Sequence, residues 1–237
     1  MTTARPRARR GEGAALRTEI LHAARDLLAE TGSDDAVSVR AVAERVGVST
    51  PSIYLHFADK DALIDAVCEE VFTELGTAME EAAQGAEEPF DSLRQRGLAY
   101  VQFALDNPEH YRIVQMTRGN ETDGARDLLA TSTYTNLVES VRRCQEAGVF
   151  APDADAVEIA TTLWAAAHGV AALLINRPEL ASREDRMRVA DQCISAAGLG
   201  LAMLHRLPDP DSADCPEGPD VVTLLNATFG PPTVTRP

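Results

Sequence analysis

Between Ser49 and Lys60 the chain presents Ser49, Thr50, Ser52, Tyr54, His56 and Lys60, a set of hydroxyls, one imidazole and one ammonium. Such groups exchange hydrogen bonds with phosphates and base edges, and the methyl group of Thr50 suits a thymine methyl. They do not form a catalytic set. The chain carries no G-x-S-x-G, H-E-x-x-H, P-loop or G-x-G-x-x-G motif, so no nucleophile, zinc or dinucleotide site is expected. Its five histidines are scattered at positions 22, 56, 110, 168 and 205, and Cys68, Cys144, Cys193 and Cys215 lie far apart with no C-x-x-C pair. The thiols read as small buried hydrophobes, with a redox-sensing thiol as the alternative. No catalytic residue, metal or cofactor is expected, and the chemistry is that of recognition.

The elements that position these groups are helices. Val39, Val42, Ala43 and Val46 recur at i, i+3, i+4 and i+7 on a helix that Ser38 caps and Gly47 stops. Ser49 caps a second helix with Pro51 in its first turn, and in it only Ile53 and Phe57 turn inward. Thr50, Ser52, Tyr54 and His56 therefore face outward, as on the recognition helix of a helix-turn-helix lying in a major groove. Thr50, Pro51 and Ser52 are the candidates for base readout, and Leu55 meets either a thymine methyl or the neighbouring helix. Asp59 caps the next helix and puts Lys60, the only lysine of the chain, in a first turn where free amides and the ammonium face one phosphate.

Residues 17–63, with the amphipathic helix from Leu16, the turn at Ala43 to Gly47, the run Tyr54-x-His56-Phe57 and Lys60 opening a helix, resemble the N-terminal domain of the TetR family of bacterial repressors. The resemblance implies phosphate contacts for Arg40 and Tyr54, and a phosphate or base contact for His56. A looser likeness, through Trp164-Ala-Ala-Ala-His168-Gly169, points to one TetR subgroup and implies a ligand-binding and dimerisation domain. Trp164 and His168, one turn apart, would then be an indole wall and a polar anchor, with a satisfied core histidine as the alternative. Tyr100, Phe103, Met116 and Tyr134 are the co-lining candidates.

Charge divides the chain. Residues 1–60 carry 9 basic against 8 acidic side chains, and residues 61–237 carry 13 against 29. An acidic body should face away from DNA. The expected organisation is all-α: a disordered basic arm (1–15), a three-helix helix-turn-helix domain (16–60), a helical ligand-binding and dimerisation domain (61–207) and a Pro-rich tail (208–237). Within the second domain, helices are expected from about Lys60 to Gln84, Phe90 to Asn107, Pro108 to Met116, onward to Glu146, 154–176 and 183–206. A polar loop is expected at Gly119 to Asp123. The stripe Val157, Ala160, Thr161, Trp164, Ala167, His168, Ala171 and Leu174 is expected to face inward. Small residues Ala165, Ala166, Gly169 and Ala172, with Ala190, Ala197 and Gly200, suggest a four-helix contact between two copies. No run of about 18 apolar residues is read, which leaves a cytoplasmic location without a membrane span.

The function these expectations assemble is a homodimeric DNA-binding transcriptional regulator, a repressor released from double-stranded operator DNA by a small-molecule effector. The alternatives are a helix-turn-helix used for protein contacts and an enzyme in the helical domain.

Overall fold

Helix formers, caps and breakers dictate the architecture, which the computed structural model describes for residues 12–31, 37–115 and 132–204. The elements are α1 (Glu12–Thr31), α2 (Val39–Val46), α3 (Thr50–Tyr54), α4 (Lys60–Ala83), α5 (Pro89–Asp106), α6 (Pro108–Gln115), α7 (Ser132–Glu146), α8 (Ala156–Asn176) and α9 (Arg186–Leu204). A short 3-10 turn lies at Pro178–Leu180, and no strand occurs among the described residues. The expected all-α organisation, a helix-turn-helix domain followed by a helical domain, is therefore the observed one.

The local signals act as their chemistry requires. Ser38 accepts from the Ala41 amide at 3.1 Å. Gly47 closes α2 at φ 76°, its amide returning to the carbonyls of Ala43 and Glu44. Only glycine takes that left-handed turn without a Cβ penalty. Asp59 accepts from the Ala62 amide at 2.8 Å and starts α4.

Some boundaries differ from expectation. The helix expected from Leu16 begins at Glu12, because Ala14 and Ala15 favour helix and extend it over Gly13. Residues 12–15 thus leave the expected arm. Ser49 occupies the cap position of α3, but its hydroxyl lies 2.8 Å from the Ser52 hydroxyl and caps no amide. The last helix starts at Arg186, after Ser182 and Asp185 form a hydrogen-bonded turn. Residues 1–11, Met116, the loop at Gly119 to Asp123, Cys215 and the tail lie outside the described residues. Cys68 and Cys144 are buried, whereas Cys193 is exposed on α9, contrary to the reading of buried thiols.

One buried cluster runs from Ile20, Ala24 and Leu28 on α1 through Val42 and Ile53 to Leu63 and Val67 on α4, and on to Val101, Val170 and Ile194. Helix α4 carries it, with Leu63, Val67, Val71, Leu75 and Met79 all buried along 24 residues. At 1.5 Å per residue it spans about 36 Å. Behind it α5 packs on α4, α8 and α9, and α7 on α4, α5 and α8. The inward stripe of α8 is set differently from expectation: Ile159, Ala160, Ala167, Val170, Ala171 and Leu174 are buried, while Val157 and Thr161 are exposed. At that end the Tyr134 hydroxyl meets Thr161 Oγ1 and the Val157 carbonyl. Helix α8 is interrupted by Glu158, Thr161, Thr162 and His168, so it holds no unbroken run of about 18 apolar residues. Its 21 residues have a mean hydropathy of 1.4, long and apolar enough to cross a bilayer by length and composition. Only a third of the apolar window is buried within the chain.

Candidate nucleic-acid and effector sites

Helix α3 is a five-residue helix fixed from below by Ile53 and Phe57, both buried, with the Arg17 guanidinium 4.9 Å above the Phe57 ring. Arg45 and Glu30 pair through two hydrogen bonds, at 2.9 and 2.7 Å, and tie α2 to α1. The outer face carries Pro51 and Tyr54 exposed, with Thr50, Ser52 and His56 half-buried. Leu55 is 83% exposed, the most open of the large apolar side chains on this face. Lys60 stands half-buried in the first turn of α4, beside an N-terminus whose amides favour anions. Arg40 projects from the first turn of α2 and bonds Glu44 at 2.9 Å, an exposed pair that a phosphate can replace. The structure thus brings Arg40, Ser49, Thr50, Pro51, Ser52, Tyr54, His56 and Lys60 onto α2, α3 and the start of α4, around one turn.

The effector-site candidates divide. A cavity of about 30 Å³ lies between α4, α5, α7, α8 and α9. Tyr100 and Trp164 line it, their rings 4.9 Å apart. His168 sits behind Tyr100, its Nδ1 2.9 Å from the tyrosine hydroxyl. Tyr134 is buried behind Trp164 with ring centroids 6.3 Å apart. Phe103 turns to the opposite side, 6.4 Å from the His110 ring, and lines no part of the cavity. Burial pushes the His168 imidazole below its ordinary pKa and the Tyr100 phenol above its own, so both are neutral near pH 7.

Sequence reasoning missed Phe90, Arg94, Gly97, Ile194 and Gly198 on the cavity wall. The signal for Phe90 and Gly97 was their spacing with Leu93 and Tyr100 on one face of α5. The glycines make the slot narrow: a Cβ on Gly97 would meet Ile194 at 3.1 Å, and one on Gly198 the Phe90 ring at 2.9 Å. Arg94 is the charged residue of the lining, and its guanidinium is held by both Asp191 oxygens at 2.7 Å and by Asp91 at 3.2 Å. Its hydrogen bonds hold the Asp191 carboxyl below the usual carboxylate range. Among the described residues, no three His, Cys, Asp or Glu side chains cluster to hold a metal ion.

A third cluster ties α1 to α4 and α6. Arg25 of α1 donates from both terminal nitrogens to Glu74 of α4 and from Nε to His110 Nε2 of α6 at 2.9 Å. Glu70 lies 3.8 Å from the same guanidinium.

Comparison with known proteins places these features. Residues 20–67 match the family described as bacterial regulatory proteins, tetR family, and residues 93–197 match the tetracyclin repressor-like C-terminal domain. Together the two cover more than half of the chain. The tetracycline repressor protein class A from transposon 1721 of Escherichia coli is 46% identical over 55 residues, 23% of this chain and 25% of that protein. The nucleoid occlusion factor SlmA of Pectobacterium carotovorum is 32% identical over 98 residues, 41% of this chain and 50% of that protein. The chain thus spans between a quarter and a half of these two relatives. A solved structure of a protein of unknown function from Rhodococcus sp. RHA1 is 27% identical, with a TM-score of 0.67 over 84% of this chain and 99% of its own.

Proposed function

The chain belongs to the tetR family of bacterial regulatory proteins, and on that premise we propose that it is a homodimeric repressor that leaves operator DNA when an apolar small molecule occupies the cavity. The observation that carries the reading is the outward face of α3 with Lys60 beside it. Hydroxyls and an imidazole face out at helical spacing while Ile53 and Phe57 anchor the helix to the core. In this reading Thr50, Pro51 and Ser52 meet base edges, and Arg40, Tyr54 and Lys60 meet phosphates. His56 reaches either. Ser49, whose hydroxyl lies 2.8 Å from the Ser52 hydroxyl, contacts the backbone of the duplex.

The dimer rests on α8 and α9. Ala165, Gly169 and Leu173 lie on one stripe of α8, and Leu199 and Gly200 on α9; both leucines are exposed in the single chain, and a Cβ on either glycine would meet open space. Ala190 belongs to the intrachain core rather than to this face. Two such faces bury a four-helix contact and present two recognition helices to two half-sites about one helical turn apart.

The effector class follows from the cavity. Its wall is apolar and aromatic, and the charge of Arg94 is already answered by Asp191 and Asp91, which supports an uncharged ligand. Occupancy favours a conformation in which α4 tilts and the recognition helices lose their spacing. Because coupling is reciprocal, operator DNA weakens effector binding by the same factor.

Selection of genomic fragments on the immobilised protein, followed by footprinting, tests this. The reading requires two protected half-sites related by a two-fold axis and about one helical turn apart. Enrichment of no specific fragment, or protection of a single unpaired site, overturns it.

A further inference from the structure

We infer that the state of the cavity reaches the helix-turn-helix through Tyr100, His168 and Tyr111, then along the backbone of α6 to the adjacent His110, and from His110 to Arg25. The inference rests on the effector-release reading and names the route by which that release is transmitted. Each step is a direct contact except the one from Tyr111 to His110, which are neighbours in α6. Tyr100 lines the cavity against Trp164 and bonds His168 Nδ1 at 2.9 Å. Tyr111 of α6 donates its hydroxyl to the His168 carbonyl at 3.2 Å, and its ring lies 5.5 Å from the imidazole. The preceding residue, His110, receives the Arg25 Nε at 2.9 Å, and Arg25 belongs to α1.

The chemistry of the last contact makes it directional. Arginine has donors and no acceptor, so the His110 ring must be neutral and turn one lone pair to the guanidinium. Both terminal nitrogens of Arg25 donate to Glu74, Nη2 also lies 3.0 Å from His110 Nδ1, and the side chain is 12% exposed. One guanidinium therefore fixes α1 against α4 and α6 together. Helix α1 in turn packs Ile20, Ala24 and Leu28 into the core that holds α2 and α3.

A ligand wedged between Tyr100 and Trp164 must shift the phenol, and with it His168. Close-packed interiors transmit such a shift rather than absorb it. Tyr111 then moves α6, and His110 moves against Arg25. Met79 also lines the cavity, so α4 alone is the competing route. The two routes differ in their dependence on Tyr111, His110 and Arg25.

Trp164 is the only tryptophan of the chain, so its emission reports the cavity without a label. The experiment titrates the full-length protein with a duplex from the genomic selection and with a scrambled duplex. Duplex anisotropy measures binding, and Trp164 emission measures the cavity. The expected result is an emission shift on binding the selected duplex in the wild type. In Tyr111→Phe and Arg25→Gln that shift falls at least fivefold, although each variant binds the duplex within a few-fold of wild type. Undiminished shifts in both variants assign transmission to α4 and overturn the inference, as does a wild type that binds with no shift. If no duplex binds, the regulator reading fails, and a double-variant cycle in the DNA-free protein decides the path. Tyr100→Phe and Arg25→Gln are expected to shift the unfolding midpoint non-additively, whereas strict additivity overturns the path, because independent distant sites add. Arg25→Lys serves as the folded substitute should Arg25→Gln fail to fold.

Discussion

Leu173 and Leu199 stand 55% and 54% exposed on α8 and α9, and the dimer reading requires a second copy to cover them. Complete burial of a leucine side chain contributes about 1.5–3 kcal/mol. With roughly half of each side chain already inside the protomer, about 0.8–1.6 kcal/mol per leucine is left to gain on association. A two-fold interface contains each leucine twice. Leu173→Ala should therefore weaken the dimer by about 1.6–3.2 kcal/mol, roughly 15- to 200-fold in Kd. Translational and rotational costs cancel between variant and wild type, so they do not blur this difference. Sedimentation equilibrium over a wide concentration range measures it, with Thr73→Ala as the control on the exposed side of α4. Because operator binding needs both half-sites, Leu173→Ala should also lose DNA affinity at low protein concentration and regain it when concentrated. A dimer whose Kd changes less than twofold in both Leu173→Ala and Leu199→Ala refutes the argument.

Three further outcomes are expected. Gly47→Ala places a Cβ at φ 76°, which should cost about 1–2 kcal/mol and lower the unfolding temperature without altering the C-terminal helices; circular dichroism melts of wild type and variant measure it. His110 and His168 both have pKa values lowered by burial, with Arg25 adding to the effect at His110. The unfolded chain therefore binds the protons first, and stability is lost as pH falls from about 6.5 towards the lower folded values. Urea unfolding at several pH values should show that slope, reduced in His110→Gln. Ala167→Leu projects from α8 into the cavity. It should abolish the Trp164 emission response to apolar probes such as hexanol while leaving the operator affinity of the effector-free protein within a few-fold; an unchanged hexanol response contradicts the assignment of the site.

The helix-turn-helix was legible because its signals are local. Ser38, Gly47, Asp59 and Pro51 act within four residues of themselves, and the exposed face of α3 follows once Ile53 and Phe57 are assigned inward. The cavity was less legible because its walls come from distant stretches. Phe90 meets Gly198 and Gly97 meets Ile194 across about a hundred residues, and no periodicity reports which faces of two helices meet. Phe103 was misplaced for that reason: it shares a helix with Tyr100, three residues on, but turns towards His110 of α6. The Arg25 junction spans 85 residues to His110, and in sequence Arg25 is an ordinary helical arginine.

In the proposed function the α3 face with Lys60 reads operator DNA. The most direct measurement of this is the salt dependence of binding to the selected duplex and to a scrambled one, for wild type, Lys60→Ala and the Tyr54→Ala, Lys60→Ala double variant. Each lost phosphate contact reduces the slope of log K against log salt by about 0.9, so a dimer lacking both Lys60 contacts should lose about 1.8. Sequence-specific binding by the wild type, that loss of slope in Lys60→Ala, and no specific binding in the double variant are the expected results. Unchanged affinity and slope in the double variant would contradict that reading, because the duplex would then be held by a different surface.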